Sequence, residues 1–345
     1  MTIIVPSQEE LMKQQSLGRV LDALVASDIV NRGISHHLYD SARAKVIFPL
    51  TTSAGLAITK NVKAGDVVLI GTGWPSRSWL MKGITETDGP VGAAYLARFL
   101  EECLGVIPII VTEHHLIRFS EIALRAAGLI VADLETTLNS KKGNHKASVA
   151  SVISFTTDWS ESDAAAKDLL KQLQPKAVIS IEFPGANSSG QFHNVTGRVV
   201  PTELVAKLDA IVRAATNFGI LTVGIGDGGN ELGMANVADA ITKHLNNGLE
   251  ISPVTPVDYL VVGSVSNFAA AGLAAAIAAL TNNGHVLQNV SLTRITEKVS
   301  DAGAIDGLSA YLDPKNDGVP QIATQALMEL ISTTVTSHLN GWNKK

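Results

Sequence analysis

The stretch GDGGNELGM, Gly226 to Met234, sets Asp227, Asn230 and Glu231 close together just after the apolar run LTVGI. Three oxygen-bearing side chains so near one another suit a hard cation such as Mg²⁺ or Mn²⁺. Helix capping by Asp227 or Asn230 is the plainer alternative. A further acid, Glu182, ends KAVISIEF among Ile179, Ile181 and Phe183. Dry surroundings raise a carboxyl pKa towards the range that proton transfer at neutral pH requires, although a structural ion pair would use the same residue. The loop GANSSGQFHNVTGR offers Asn187, Gln191, His193, Asn194 and Arg198, with His193 either a proton-transfer group or simply solvated. ETDGPVGA supplies Glu86 and Asp88. Asp88 or Gly89 is placed to cap a helix starting at Pro90, and the two carboxylates could hold a cation or an amine. In GTGWPSR, the amides of Gly71, Thr72 and Gly73 with Arg77 could hold a carboxylate or phosphate, or form only a tight turn. GSVSNF presents Ser266 and Asn267, while Asp306 and Asp317 sit in glycine turns and read as turn residues. His114 and His115 are adjacent, so they point apart and do not share a metal.

The elements that must position these groups are legible as an alternation. Residues 8–26 have helical spacing, with Leu11, Leu17, Val20, Leu21, Leu24 and Val25 on one side and a capping box from Ser7 and Glu10. Helical or mixed sequence continues to about Lys63. Strands are expected at 66–73, 106–112, 148–156, 176–183, 220–227 and 258–264. Helices are expected at 90–102, 116–128, 161–173, 201–217, 230–246 and 268–281. This order predicts an α/β fold: a doubly wound, mostly parallel sheet with helices on both faces and an N-terminal helical section over 1–63, all in one domain over 1–345. Ligands of such sheets bind beyond the carboxyl ends of the strands. The connections 135–147 and 184–200 are long, as functional loops often are.

The 345 residues carry a formal net charge of −5 without long single-sign runs, which is no footprint for nucleic acid. The lone Cys103 excludes a disulfide within the chain and a cysteine-based zinc site, and reads as a small core residue. FAAAGLAAAIAAL, Phe268 to Leu280, is too short to span a bilayer and reads as a tightly packed internal helix. The N-terminus has no signal- or transit-peptide pattern, so a cytoplasmic protein without membrane partners is expected.

GDGGNE alone resembles the metal loop of haloacid-dehalogenase-type phosphatases, but their early DxDx[TV] nucleophile motif is missing here. GTGWPSRS lacks dinucleotide-binding spacing. In order along the chain, TGWP, ETDGPVGA, IEFPGANSSGQFHNVTG, GDGGNELGM, VSNF and AGAIDG resemble the D-glutamate cyclase family, from NRGISHHLYDSARA to NDGVP. The tandem of ETDGP and GDGGNELGM carries most of the specificity. The chain departs from the family pattern just after Asn267, in FPGAN and at Phe192.

The resemblance implies conversion of D-glutamate to 5-oxo-D-proline with loss of water, on a small-molecule amino-acid substrate. That reaction needs a neutral α-amine, a γ-carboxylate relieved of its charge, and a grip on the other carboxylate. For it, Asp227 and Glu231 are expected to hold a divalent cation, Mg²⁺ or Mn²⁺, with help from Glu86 or Asp88; no organic cofactor is expected. Glu182 is the expected proton-transfer group, with His193 a further catalytic candidate. Gly71, Thr72, Gly73 and Arg77 would bind a substrate carboxylate, and Gly89, Asn187, Asn194, Asn230 and Asn267 would line or orient the substrate. The alternatives are a metal-dependent phosphatase-like hydrolase and an amino-acid-binding protein of the same fold without turnover. A homo-oligomer is compatible with the sequence.

Overall fold

The structure, a computed structural model, describes residues 8–141 and 147–341. An N-terminal section holds α1 (Gln8–Val25), α2 (Ser35–Arg43) and α3 (Leu50–Asn61). Strand β1 (Val67–Thr72) then leads through α4 (Pro90–Leu104) to β2 (Ile107–Thr112). Next come α5 (Ile117–Ala126), β3 (Ile130–Val131), α6 (Leu134–Asn139), β4 (Val149–Ser154) and α7 (Trp159–Leu173). Strand β5 (Ala177–Ile181) precedes a small hairpin, β6 (Phe192–His193) with β7 (Val199–Val200), and then α8 (Leu208–Asn217) and β8 (Leu221–Gly226). Helices α9 (Ala238–His244) and α10 (Gly248–Ile251) lead to β9 (Tyr259–Val262). The chain closes with α11 (Ser266–Leu280), α12 (Val286–Asn289), α13 (Leu292–Asp301) and α14 (Gln321–Leu339).

Among the described residues, seven strands form one sheet in the order β3-β4-β2-β1-β5-β8-β9, and every pairing in it is parallel. β1, β2 and β5 are buried along their whole lengths, as strands covered on both faces must be. Helices α4 and α11 pack together on one face, while α7 and α8 pair on the other. This is the doubly wound α/β fold that the alternation predicts. The chain starts in the middle at β1, runs outwards through β2 to the edge strand β3, fills the place between them with β4, and returns to β5 on the other side of β1. The topological switch point therefore lies between β1 and β5.

Local chemistry explains most boundaries. Pro90 opens α4, where its missing N–H costs nothing, and Gly105 ends it in the left-handed conformation. Asp133, Asp158 and Ser291 cap α6, α7 and α13 by accepting from amides in their first turns. Asp22 on α1 does the same for a different helix: its buried carboxylate accepts from Leu50 N at 2.6 Å and Thr51 N at 3.1 Å, tying α1 to the start of α3. The alanine-rich α11 is buried on all sides apart from its last residue, with α1, α3, α4 and α14 packed around it. No described helix is long and apolar enough to cross a membrane.

Several local readings are corrected. Val20 faces solvent at 44% exposure, although Leu17, Leu21 and Val25 are buried as expected. Cys103 is half-buried inside α4 rather than a core residue beyond it. Ser7, half of the proposed capping box, lies outside the described residues. Loop 135–147 contains α6, because Asp133 supplies a cap that the apolar pattern does not reveal. Loop 184–200 carries the β6–β7 hairpin. The helix expected at 201–217 begins only at Leu208, after a 3-10 turn. The helix expected at 230–246 begins at Ala238, because Glu231 folds back onto its own loop.

Candidate active site

The carboxyl ends of β1, β5 and β8 converge on a cavity of about 520 Å³. Glu182 is the first residue after β5 and adopts φ +43°, a conformation that side-chain-bearing residues avoid. Its amide still donates to Ile225 O at 3.1 Å, which keeps the backbone tied to β8 while the side chain turns into the cavity. Ser266 Oγ donates to Glu182 Oε2 at 2.5 Å. Arg77 and Asp317, which also line the cavity, share the positive φ at +51° and +47°. Backbone strain gathered at one cavity is a mark of function rather than of packing.

Asp227 follows β8 directly, and the glycines after it let the chain turn tightly enough for Glu231 to reach back. Glu231 accepts from the amides of Asp227 at 3.1 Å, Gly228 at 2.5 Å and Gly229 at 2.8 Å. Burial and then the charge of Asp227 push its carboxyl up to about 7, against the pull of those amides. Asp227 meets Arg32 instead, with Nη1 to Oδ2 at 2.8 Å. Arg32 Nη1 also donates to Asp317 Oδ2 at 3.1 Å and Ser264 O at 3.3 Å. The loop bearing Arg32 is held by Asp28, whose carboxylate accepts from Arg32 N and Gly33 N. Asp317 is likewise pushed up to about 7 by burial, with Arg32 pulling the other way. Glu86 and Asp317 close in on Gly307, where a Cβ would stand 2.7 Å from Glu86 Oε2 and 2.5 Å from Asp317 Oδ1. Burial and then Asp317 raise the Glu86 carboxyl well above its usual range. Glu182 is raised in the same way by burial, then by Asp227 and Glu231.

Asp88 is fully buried but does not line the cavity. Its carboxylate accepts from Ser266 N at 3.0 Å and Asn267 N at 2.7 Å, so it caps α11 rather than the helix that follows it. Asn267 returns the arrangement: its Oδ1 accepts from Gly89 N at 3.0 Å and Gly92 N at 2.6 Å, capping α4. Two helix N-termini are thereby locked together beside Glu182, with their positive ends towards the acids. Asn267→Ala should cost about 3 kcal/mol in denaturant unfolding, from a lost cap and newly unpaired buried groups. A loss below about 1 kcal/mol would show that the cross-cap adds little.

Of the residues proposed from sequence, Arg77, Glu86, Glu182, Asn194, Asp227, Asn230 and Glu231 line the cavity. Gly71 and Thr72 lie inside β1, paired to neighbouring strands, and away from the cavity lining. A side chain at Gly71 would collide with Leu208 of α8, so that glycine serves packing. Gly73 lies against Thr112 and Glu113 instead. Gly89 and Asn267 belong to the cross-cap. Asn187 forms a turn, accepting from Ser189 N and Gln191 N. His193 sits in β6, where its carbonyl accepts from Asn230 Nδ2 at 2.9 Å and burial lowers its ring pKa. Asp306 is a turn residue as expected, accepting from Ser309 N and Gly318 N. Asp317 is more than that, since it pairs with Arg32 in the cavity. Sequence reasoning missed Arg32, although NRGIS opens the stretch that resembles the cyclase family. It also missed Trp74, Ser76 and Trp79 on the wall, while Ser266, which it named, sets its hydroxyl behind Glu182.

Among the described residues, two groups of acids could hold a metal ion: Glu182, Asp227 and Glu231, and Asp88, Asp227 and Asp317. Within each group the candidate ligand oxygens lie within 4.8 Å of one another. Five acids line the cavity against Arg32 and Arg77, so the residues present fit a cation. They would equally receive a substrate ammonium.

The same excess of acids sets a pH dependence. Glu231 and Asp317 hold protons in the folded chain up to about pH 7, whereas the unfolded chain releases them near the ordinary values of 4.5 and 3.8. The folded state binds more protons across that window, so stability must fall as pH rises through it. Without added cation, thermal unfolding is expected at a higher temperature at pH 5 than at pH 7.5. The reverse order would contradict the raised carboxyls.

An open parallel α/β sheet with an acid-lined cavity at its switch point has that cavity where proteins of this class bind small ligands. The chain belongs to the D-glutamate cyclase-like family: the model of its C-terminal domain matches residues 21–332. It is 29% identical over 265 residues to the human protein "D-glutamate cyclase, mitochondrial", covering 75% of this chain. That alignment covers 38% of the human protein, so the chain spans about two-fifths of that relative's length. These matches favour neither the phosphatase nor the binding-only alternative.

Proposed function

We propose that the chain is a D-glutamate cyclase, closing D-glutamate to 5-oxo-D-proline with loss of water. The observation that carries this reading is Glu182, a strained, buried carboxyl among further acids in the cavity of a cyclase-like fold. The acidic floor receives the α-ammonium, and Glu182 takes the proton that frees the nitrogen lone pair. Ser266 positions Glu182 by holding Oε2, which leaves Oε1 for the transfer. Arg77, whose buried Nε has no partner among the described residues, grips the α-carboxylate. This folds the substrate so that nitrogen and γ-carbon approach. Over the reaction the nitrogen gives up two protons and the departing oxygen takes up two, by way of Glu182 and of Glu86, whose carboxyl burial raises, so that the oxygen leaves as water. Asp227 and Glu231 would hold a divalent cation, which when bound would withdraw charge from the γ-carboxylate.

The test is product formation from D- and L-glutamate, read by chiral chromatography with mass detection, with Mn²⁺, Mg²⁺ or a chelator. Faster 5-oxo-D-proline formation than in the enzyme-free control supports the reading, and none in any lane refutes it. If the acids hold a cation, millimolar Mn²⁺ should raise the unfolding temperature at pH 7.5. A hundredfold excess over Kd corresponds to about 2.7 kcal/mol. The gain should shrink at pH 5, where protons compete for the same oxygens. No shift at either pH would remove the cation from the mechanism.

A further inference from the structure

The cavity is larger than the proposed substrate requires. Its volume of about 520 Å³ is in the class that encloses drug-sized ligands. Glutamate, with about ten non-hydrogen atoms, fills only part of such a space. The two ends of the cavity also differ in chemistry. Glu182, Asp227 and Glu231 form an inner end that is almost closed to solvent. Leu308 and Val195, exposed at 56% and 39%, mark the mouth, and Trp74 and Trp79 line the wall. Trp79 carries the Arg198 guanidinium over its ring at 4.0 Å, and the remaining wall of Trp74, Val195 and Leu308 offers a free γ-carboxylate no partner. A group attached at the γ-carbon would run into it.

We propose that the outer half holds the amine portion of a γ-amide of D-glutamate, and that the site closes such amides to the same lactam with release of the amine. The inference rests on the cyclase reading for the placement of the glutamyl part. The α-nitrogen lone pair forms a bond to the γ-carbonyl carbon, and the carbon–nitrogen bond of the amide breaks. Entering as the ammonium, the attacking nitrogen gives up two protons by way of Glu182: one balances the proton that Glu86 gives the departing nitrogen, and the other passes to solvent or to the released amine. The substrate's atoms are all accounted for in lactam and amine, and neither water nor an oxidant is consumed. An amine leaves only when protonated, and a buried carboxylic acid beside the reacting carbon meets that need.

The test uses the whole chain with γ-D-glutamyl-4-nitroanilide and γ-D-glutamyl-butylamide, each beside its L enantiomer and beside D-glutamate. Released amine and 5-oxo-D-proline are both measured against enzyme-free cyclisation. The D-amides are expected to turn over, with kcat/KM at least about tenfold above that for D-glutamate. Leu308→Asp is expected to lower amide kcat/KM about tenfold, the effect of removing one apolar contact, with a smaller change for D-glutamate. Turnover of D-glutamate with neither amide above background overturns this proposal and leaves the cyclase reading standing. Turnover of the amides without D-glutamate supports the proposal and overturns the dehydration reading. No turnover of either overturns both. An equal loss on both substrates in Leu308→Asp overturns the assignment of the outer half.

Discussion

Replacing Glu182 by Gln is expected to slow 5-oxo-D-proline formation by about 10³-fold, within the range a positioned acid or base contributes. The unfolding temperature should stay level or rise. The two effects have one cause. Glu182 sits beside Asp227 and Glu231 in a conformation that its backbone does not favour, and the proposed reaction requires a carboxyl there. Gln keeps the shape and can still accept from Ser266 Oγ, but it cannot take a proton from the substrate amine. It also removes one carboxyl from a crowded group whose burial opposes ionisation. Folding should therefore lose nothing, which is the usual relation between a functional site and stability. Steady-state kinetics with product chromatography, paired with thermal unfolding, reads both effects. Near-normal turnover would remove Glu182 from proton transfer, and a large fall in stability would assign it a structural role instead.

The largest stability effect is expected at Arg32. Arg32→Met should destabilise the chain by about 3–5 kcal/mol at pH 7.5, the cost of removing one partner from a buried ionic group. Arg32 is the guanidinium that meets both Asp227 and Asp317. Without it, Asp317 must either remain charged among acids or take up a proton. At pH 5 that proton is already present in the folded state, so the loss should be clearly smaller there. Denaturant unfolding at the two pH values separates the explanations. Equal losses at both would mean that Arg32 acts through packing rather than charge.

The sheet and its helices were legible because they are written in short-range patterns. VVLIGT, IPIIVT and LTVGIG are apolar runs of strand length, and Pro90 and Gly105 punctuate α4 without help from distant residues. The acids were legible for a related reason: in a parallel sheet, residues just after strands face the site, which places Glu182 and Asp227 from local pattern alone. Residues further from a strand end were less secure. Asp88 reads locally as a cap for α4, yet it caps α11, 178 residues away. Asp317 reads locally as a turn residue, yet it meets an arginine near the other end of the chain.

Short-range sequence thus determined the α/β alternation, the strand ends and the stock of carboxyls. Tertiary structure alone decided which of those carboxyls share a cavity, and that Arg32 crosses 195 residues to Asp227. It also decided that Gly71 and Asp88 serve packing and capping rather than lining the cavity. The physical reason is range. Backbone propensity and hydrophobic periodicity act over a few residues, whereas burial, ion pairing and cross-capping depend on which segments the closed sheet brings together.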